Sequence, residues 1–258
     1  MQEPKWLELF ETFVANLRIP SKEEARIDPK SPGVPLVLWD SQRLYLKNVA
    51  EGLDQGIRTF FCLKNRQAGI STISLAITLF WLAMYPGTQG ALVVDTDSNR
   101  DKFRLLLKIY IASFPKGFFG RSFGVVKGRD NRNFTHFTNG STIDYLVAGK
   151  TKGAARNKTL GESRGYSFCL CTEVANYGSP EGIQSFRETL AEKHPNRLFI
   201  YESTAKGYDA IWHPMWYEGL EDKITKRSFF LGWWATETYK YSPKGPPPEP
   251  RLYHTFGS

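Results

Sequence analysis

The stretch from residue 58 to residue 84 limits the fold of this chain more than any other part of the sequence. It begins with the apolar run RTFFCL, continues through the loop KNRQAGI, and ends in an uncharged segment from Ser71 to the turn YPG. A short apolar run indicates a buried strand, and the longer uncharged segment indicates a helix. A strand over 58–63 that leads through a loop into a helix over 71–84 is typical of a parallel sheet covered on both faces.

The same alternation continues through the middle of the chain, where short apolar runs are separated by helical segments. Asn139-Gly140 lies between two such runs and is a strong signal for a two-residue hairpin turn. We therefore predict an α/β fold with a central, mainly parallel sheet flanked by helices. The predicted strands are 90–94, 133–138, 141–147, 167–171 and 197–202, and the predicted helices are 5–17, 98–114 and one capped by Ser179.

Composition sets the broad class of protein. The chain has 258 residues, enough for one large α/β domain or two small ones, and its hydrophobic share of 41% is ordinary for a soluble globular protein. Its three cysteines form no C-x-x-C pair, and its four histidines lack the spacing of metal ligands. The apolar stretch 73–85 is too short to span a bilayer. These features predict a soluble protein of a reducing compartment.

The charge of the chain is positive and unevenly distributed. The formal net charge is +8, and the segment 121–158 contains eight lysines and arginines against only Asp130 and Asp144. A basic cluster of this kind indicates contact with the phosphates of a nucleic acid or a nucleotide. A solvated basic surface remains the alternative.

The loop after the first strand resembles the phosphate-binding motif G-x-x-x-x-G-K-[ST], with two changes. Lys64 stands where the motif has its first glycine, and Ile70 stands where it has its lysine. The amides around Gly69 and the helix N-terminus would still attract a phosphate, and Ser71 falls where a hydroxyl ligand of Mg²⁺ is needed. Either Lys64 or Arg66 could supply the missing positive charge, because both side chains are long enough to reach a phosphate.

Two later strands end in polar residues that belong at the same edge of the sheet. The run CLCT is followed by Glu173, as in a Walker B segment, but Thr172 replaces the usual aspartate. Glu173 is placed to orient or deprotonate a water molecule and, with Ser71, to bind a metal ion. Glu202 is the next carboxylate to consider for the catalytic role. The strand LFIYEST ends at Ser203-Thr204. Ligands of open parallel sheets bind at such strand ends.

Upstream of the loop, the segment LVLWDSQ contains Trp39 and Gln42. A glutamine amide can form two hydrogen bonds with an adenine edge, which makes Gln42 a candidate for the adenine contact. The candidate nucleotide-binding residues are Gln42, Lys64, Asn65, Arg66, Gln67, Ala68, Gly69, Ile70, Ser71 and Thr72.

Four segments of the chain carry a resemblance to a known family, in this order: WDSQ, KNRQAGIST, CLCTEVANYG and IYESTAKG. With them the chain resembles the ATPase domain of the large terminase subunit of tailed bacteriophages. These proteins are DNA-packaging motors, and the resemblance covers roughly residues 36–235. It implies a P-loop NTPase fold of the additional-strand, catalytic-glutamate type, with ATP and Mg²⁺ as cofactors. It also fits Lys64 as a displaced phosphate-loop lysine, and Arg66-Gln67 matches the family's Arg-Gln pair, with Arg66 in a catalytic role.

The resemblance assigns two further roles. Ser203 and Thr204 match the motif that couples hydrolysis to movement, and GAARNKT matches a segment whose arginine reaches a neighbouring subunit's nucleotide. That arginine is Arg156, but the extra residues LGESRGY that follow leave Arg164 as a rival. Thr172 departs from the acid that is commoner in the family.

The implied partners are double-stranded DNA, the portal protein of the procapsid, the small terminase subunit and further copies of the chain in a ring, all in the host cell cytoplasm and without a membrane. The expected organisation is an N-terminal helix and arm (1–35), an ATPase core (36–215), a lid (216–241) and a proline-rich linker (242–258). No nuclease domain and no DNA cleavage are expected.

Two alternatives remain open from the sequence. The first is a core like those of superfamily-2 helicases, although no second motor domain is apparent. The second is a basic nucleic-acid-binding module with a degenerate nucleotide site, which Ile70 and Thr172 suggest. Nucleotide binding combined with Mg²⁺-dependent turnover distinguishes a motor from a module.

Overall fold

The computed structural model describes residues 5–20, 33–149, 160 and 165–235. Between residues 58 and 204, each predicted helix or strand that the structure contains begins and ends within two residues of its predicted bounds. The helices are α1 (Lys5–Val14), α2 (Asp40–Asp54), α3 (Ile70–Met84), α4 (Asp97–Ala112), α5 (Pro180–Glu188) and α6 (Trp212–Glu221). The strands are β1 (Arg18–Ile19), β2 (Val34–Pro35), β3 (Thr59–Lys64), β4 (Gln89–Val94), β5 (Val125–Asp130), β6 (Phe134–Phe137), β7 (Thr142–Val147), β8 (Phe168–Thr172), β9 (Leu198–Thr204) and β10 (Lys226–Leu231).

Eight of these strands form one sheet in the order β10-β3-β9-β8-β4-β7-β6-β5. The pairs from β10 to β7 are parallel, and β6 and β5 extend the sheet as antiparallel strands. The predicted α/β fold with a mainly parallel sheet is therefore confirmed. Strand β9 lies between β3, which leads into the loop, and β8, which precedes Glu173. This is the additional-strand arrangement predicted from the resemblance.

Each face of the sheet buries its own apolar cluster, because successive residues of a strand point to opposite faces. Phe60, Leu170 and Ile200 belong to the cluster that is covered by α1, α2, α3 and α4. The opposite face, which includes Phe61 and Tyr201, is covered by α5 and α6. Helix α3 packs on β8 and is enclosed by α1, α2 and α4, and this explains why the sequence carries no charge from Ser71 to Met84.

The N-terminal helix packs through aromatic side chains. Trp6, Phe10 and Phe13 on α1 contact Phe80 on α3, with ring centroids 5.3 to 5.9 Å apart. The helix ends at Val14, three residues before the predicted end. This arrangement confirms an amphipathic helix that packs on the core.

The prediction of a lid over 216–241 is wrong for residues 226–231. These residues form β10, which pairs with β3 along its whole length and is the edge strand of the central sheet. Phe229 and Leu231 are buried, and α6 packs beside them. Two basic residues at the start of KRSFFL interrupt the apolar pattern of a strand, and for this reason β10 was not predicted from the sequence. Residues 236–258, including the predicted linker, lie outside the described part.

None of the helices in the described part of the chain is long and apolar enough to cross a membrane.

Candidate active site

The loop between β3 and α3 has a backbone conformation that depends on glycine. Helix α3 begins directly after Gly69, which has a φ of +69° and lies in the left-handed region. A Cβ atom at this position would lie 2.6 Å from Nε2 of Gln42, so that a larger residue would be strained and would also clash. The first N–H groups of α3 have no partner within the helix, which makes them suitable donors to an anion.

The first turn of α2 holds this loop in place. Gln42 donates a hydrogen bond from Nε2 to the carbonyl of Gly69 at 2.9 Å, and its Oε1 accepts one from the amide of Trp39 at 2.9 Å. Ser41 donates to the carbonyl of Ala68 at 2.9 Å. The Gln42 side chain is buried, and both ends of its amide bond to backbone groups of the loop and of the start of α2. A buried amide needs partners inside the protein, and here the loop provides them.

Lys64 is the cation that the structure brings to the helix N-terminus. It is the last residue of β3 and is only 8% exposed. Its Nζ donates to Oε1 of Glu173 at 2.8 Å and lies 3.4 Å from Oγ of Ser71. Burial alone would lower the pKa of Lys64, but the carboxylates of Glu202 and Glu173 outweigh it and raise that pKa, so Lys64 stays charged. Ile70, the first residue of α3, is buried in the apolar core.

Glu173 follows β8 and faces Lys64, the last residue of β3, across the end of β9, which lies between these strands. Its Oε2 accepts a hydrogen bond from Oγ1 of Thr204 at 3.1 Å. Burial alone would raise the pKa of the Glu173 carboxyl, but Lys64 and Thr204 outweigh that effect and lower it. The carboxylate is therefore ionised at neutral pH, which is the form that a general base needs.

Backbone strain is concentrated in this site. Among the described residues, Gln67 and Glu173 are the only non-glycine residues with a positive φ, at 60° and 53°. Such conformations cost on the order of 1–3 kcal/mol and occur preferentially at active sites, where the surrounding structure enforces them. Both residues were predicted as site residues from the sequence.

The ends of β8 and β9 are linked through Ser203 and Thr204. Ser203 accepts a hydrogen bond from the amide of Ala175 at 3.0 Å, and Thr204 contacts Glu173 as described above. The structure thus brings together five predicted site residues at one edge of the sheet: Lys64, Ser71, Glu173, Ser203 and Thr204. A displacement of the end of β9 would move Glu173 directly.

Other predicted residues take different positions. Arg66 is exposed in the loop, and its side chain forms no hydrogen bond or ion pair with any residue that the structure describes. Thr72 lies in the first turn of α3, where its carbonyl accepts a hydrogen bond from Tyr110 at 3.1 Å, and the amide of Asn65 donates to the carbonyl of Leu231 at 3.0 Å. Arg156 and its rival Arg164 lie outside the described residues.

Glu202 is a site residue that the sequence analysis considered only as a substitute for Glu173. It lies within β9, is fully buried, and accepts a hydrogen bond from Ser74 at 3.2 Å. Burial raises the pKa of the Glu202 carboxyl, and the nearby Lys64 opposes that effect. A charged residue inside the apolar run LFIYEST was the signal that could have identified it.

The chemistry of these residues fits a nucleotide phosphate and Mg²⁺. Mg²⁺ is usually held by one or two carboxylates together with phosphate oxygens and water, so it needs no dedicated protein cage. No group of three or more His, Cys, Asp or Glu that could hold a metal ion occurs in the described part of the chain. Ser71 and Glu173, the metal ligands predicted from the sequence, each lie close to the Lys64 ammonium group. Within that part, the buried oxygens Oγ1 of Thr172 and Oε1 of Glu202 have no hydrogen-bond partner.

No protein-family model matches the sequence, and no curated protein sequence matches it. Among solved structures, the crystal structure of the HK97 bacteriophage large terminase is similar over 87% of this chain and 43% of that one, with a TM-score of 0.62 and 16% identity. The large terminase of a thermophilic bacteriophage, in complex with ATP-γ-S, is similar over 71% of this chain and 41% of that one, with a TM-score of 0.51 and 10% identity. The chain spans less than half the length of either protein. The fold predicted from the motifs is thus confirmed.

Proposed function

We propose that this chain, which has the fold of the ATPase domain of phage large terminases, hydrolyses ATP and uses the energy to move double-stranded DNA into a procapsid. One arrangement supports this most directly. Lys64, Ser71 and Glu173 meet where parallel strands end and α3 begins. The Nζ atom of Lys64 lies 2.8 Å from Oε1 of Glu173 and 3.4 Å from Oγ of Ser71. Positioned donors and a carboxylate are the parts that phosphoryl transfer to water requires.

Nucleotide binding is assigned to the loop and to the start of α3. The amides of the first helical turn and the ammonium group of Lys64 attract the β- and γ-phosphates. Lys64 is buried and already paired, so it needs only a small movement to exchange the Glu173 carboxylate for a phosphate oxygen. Arg66, exposed in the same loop, is the second candidate cation.

Glu173 is assigned as the base that orients and deprotonates the attacking water. Its low pKa keeps it ionised, and Lys64 holds it until a phosphate offers that lysine a new partner. Mg²⁺, when bound, neutralises charge on the phosphate oxygens. Ser71 and Glu173 are the residues of this chain that we assign to hold it. Thr204 keeps the Glu173 carboxylate oriented throughout, through its hydrogen bond to Oε2.

Coupling of hydrolysis to movement is assigned to Ser203 and Thr204. Both hydroxyls contact the segment around Glu173, at Ala175 and at Glu173 itself. All residues of β3 also pair with β9. A movement of the phosphate loop, which follows β3, would therefore be transmitted to β9 in the centre of the sheet.

The remaining assignments follow from the likeness to phage large terminases. We propose the portal protein and the small terminase subunit as partners, a ring of identical subunits as the working form, and the host cell cytoplasm as the location. Within the ring, Arg156 is assigned to the nucleotide of a neighbouring subunit.

One experiment tests the core of this proposal. ATP is titrated into the purified chain with and without Mg²⁺, and phosphate release is measured under the same conditions. Binding together with Mg²⁺-dependent release is expected. A chain that binds DNA but no nucleotide would instead be a basic module with a degenerate site.

Replacing Lys64 with alanine is expected to weaken ATP binding and to lower turnover. Losing a charge-assisted contact with a phosphate costs about 1.5–3 kcal/mol, which corresponds to an affinity lower by about 10- to 150-fold. Binding is measured by calorimetry with ATP-γ-S. Arg66→Ala is measured in parallel to decide which cation dominates.

Lys193→Ala is the matched control, since Lys193 is exposed in the loop that precedes β9, at the opposite edge of the sheet. Wild-type affinity in both Lys64→Ala and Arg66→Ala would contradict the assignment of the loop.

DNA binding is expected to be weak, insensitive to sequence and steeply dependent on salt, because phosphate contacts release counterions. Within the described part of the basic segment, Lys127 and Arg129 are exposed on the edge strand β5, whereas Arg132 is paired with Asp101 at 3.0 Å. Replacing both Lys127 and Arg129 with alanine should lower the slope of log K against log salt by about 2. Fluorescence anisotropy with two unrelated duplexes measures this. An affinity that is constant between low and moderate salt would refute the prediction.

A further inference from the structure

We propose that Glu202 supplies the negative charge that the Walker B position lacks, so that the Mg²⁺ site assigned to Ser71 and Glu173 contains a second acid, on β9. This inference rests on the proposed function, because it concerns the same nucleotide site. It makes Glu202 a positioning residue for the metal and for Ser71, and it leaves Glu173 as the base.

The pairing of β8 with β9 places Glu202 directly beside the position of the missing acid. Thr172 and Glu202 are register partners in these parallel strands, so their side chains lie on the same face of the sheet. That face is the one covered by α3, because Leu170 and Ile200, each two residues earlier, belong to the apolar cluster beneath this helix.

The strand order favours Glu202 over any acid on β8. Strand β9 lies between β8 and β3, and β3 leads into the phosphate loop. Adjacent strands are about 4.8 Å apart, so Glu202 is nearer to the loop than Thr172 by about one strand spacing. A carboxylate at residue 202 is therefore at least as close to a metal ion at the phosphate loop as a carboxylate at residue 172 would be.

A chain of hydroxyl groups fixes the Glu202 carboxylate against α3. Oγ of Ser74 lies 3.2 Å from Oε2 of Glu202 and 2.8 Å from Oη of Tyr45. A serine hydroxyl has one proton, so when Ser74 donates to Glu202, Tyr45 donates to Ser74. Ser74 is one helical turn after Ser71, the hydroxyl assigned to Mg²⁺.

Unused bonding capacity and local charge point to a ligand. Among the described residues, Oε1 of Glu202 has no hydrogen-bond partner although the residue is fully buried. Leaving a buried carboxylate oxygen unsatisfied is costly, and an ion or water molecule bonded to it would remove that cost. Lys64, which already pairs with Glu173, leaves two carboxylates against one ammonium group in this part of the site. A cation bound at Oε1 of Glu202 would offset the excess negative charge.

Glu202→Gln separates this role from a purely structural one, since glutamine keeps the size of the side chain and an oxygen that can accept from Ser74. ADP is titrated into the full chain in Mg²⁺ and, separately, in EDTA. The ratio of the two affinities should fall by about 10- to 100-fold in the variant, the range seen when residues that support a metal site are replaced. The affinity in EDTA should stay at the wild-type value.

The double variant Thr172→Asp with Glu202→Gln puts the acid back on β8, and it should restore much of the Mg²⁺ effect. Glu218→Gln is the matched control: its carboxylate pairs with Arg187 and with Lys226 at the start of β10, away from the nucleotide, so its replacement should leave the ratio unchanged. If Glu202→Gln does not fold, Ser74→Ala, which keeps the carboxylate but removes its partner, should reduce the ratio severalfold.

A wild-type ratio in Glu202→Gln, or in Ser74→Ala where that variant replaces it, overturns the inference and leaves the proposed function standing. A wild-type chain that binds ADP equally well with Mg²⁺ and EDTA also overturns it. A wild-type chain that binds no nucleotide under either condition overturns both.

Discussion

Replacing Glu173 with glutamine is expected to reduce ATP hydrolysis by about 10²–10⁴-fold while ATP still binds. Glutamine keeps the size of the side chain and can still accept from Thr204, but it cannot take a proton from water. It also removes the ionic partner of Lys64, so the lysine is freed for phosphate and the affinity for ATP should be equal or higher. Single-turnover phosphate release and calorimetry with ATP-γ-S measure the two effects separately.

Glu218→Gln serves as the control for this measurement too, because it neutralises a carboxylate that pairs with Arg187 outside the site. It should leave turnover unchanged. Normal turnover in Glu173→Gln would refute the assignment of the base, and Glu202 would then be the carboxylate to test in that role.

Replacing Arg156 with alanine is expected to lower turnover of the assembled motor by about 10³–10⁵-fold, the range found for an arginine supplied to a neighbour's nucleotide. The segment KGAARNK is rich in small residues, which lets its backbone approach another surface closely while Arg156 projects a planar charge. The isolated domain, if monomeric, should hydrolyse ATP slowly, because no neighbour completes its site.

Mixing two inactive variants tests this directly. Arg156→Ala and Glu173→Gln subunits, combined in one assembly, should recover part of the activity, since some interfaces pair an intact Glu173 with an intact Arg156. Arg197→Ala is the control arginine, as Arg197 precedes β9 at the opposite edge of the sheet.

The outcomes distinguish the candidates. Full activity of Arg156→Ala in the assembly would transfer the role to Arg164 or Arg132, and of these Arg132 is already paired with Asp101 and Asp97. An inactive Arg156→Ala that mixing does not rescue would mean that the arginine acts within its own subunit.

Much of the fold could be predicted because it is encoded locally. The run RTFFCL, the loop and the uncharged segment after Ser71 fixed β3 and α3 to within one residue, since continuous apolarity and the length of a run depend only on neighbouring residues. Asn139-Gly140 likewise specified the hairpin between β6 and β7, where Gly140 has a φ of +82°. Glu173, Ser203 and Thr204 were found for the same reason, as polar residues that end apolar strands.

The sequence failed where a residue's role depends on its partners. The adenine contact of Gln42 stays a prediction, but the sequence did not show that its amide donates to the carbonyl of Gly69 and holds the loop. Residues 226–231 were predicted to be part of a lid, yet they pair with β3 and form the edge strand of the sheet. In both cases the deciding contact joins residues far apart in the chain, and local patterns carry no information about it.

The sequence by itself determined the alternation of strands and helices, the glycine that opens α3, and the carboxylate and hydroxyls at the strand ends. Only the tertiary structure decided that Lys64, and not Arg66, lies against Ser71 and Glu173, and that Glu202 lies beside Thr172. The physical reason is that strand order and register bring together residues that are 30 to 109 positions apart. These long-range pairings result from packing the whole sheet against its helices. They cannot be predicted from the sequence of any single segment.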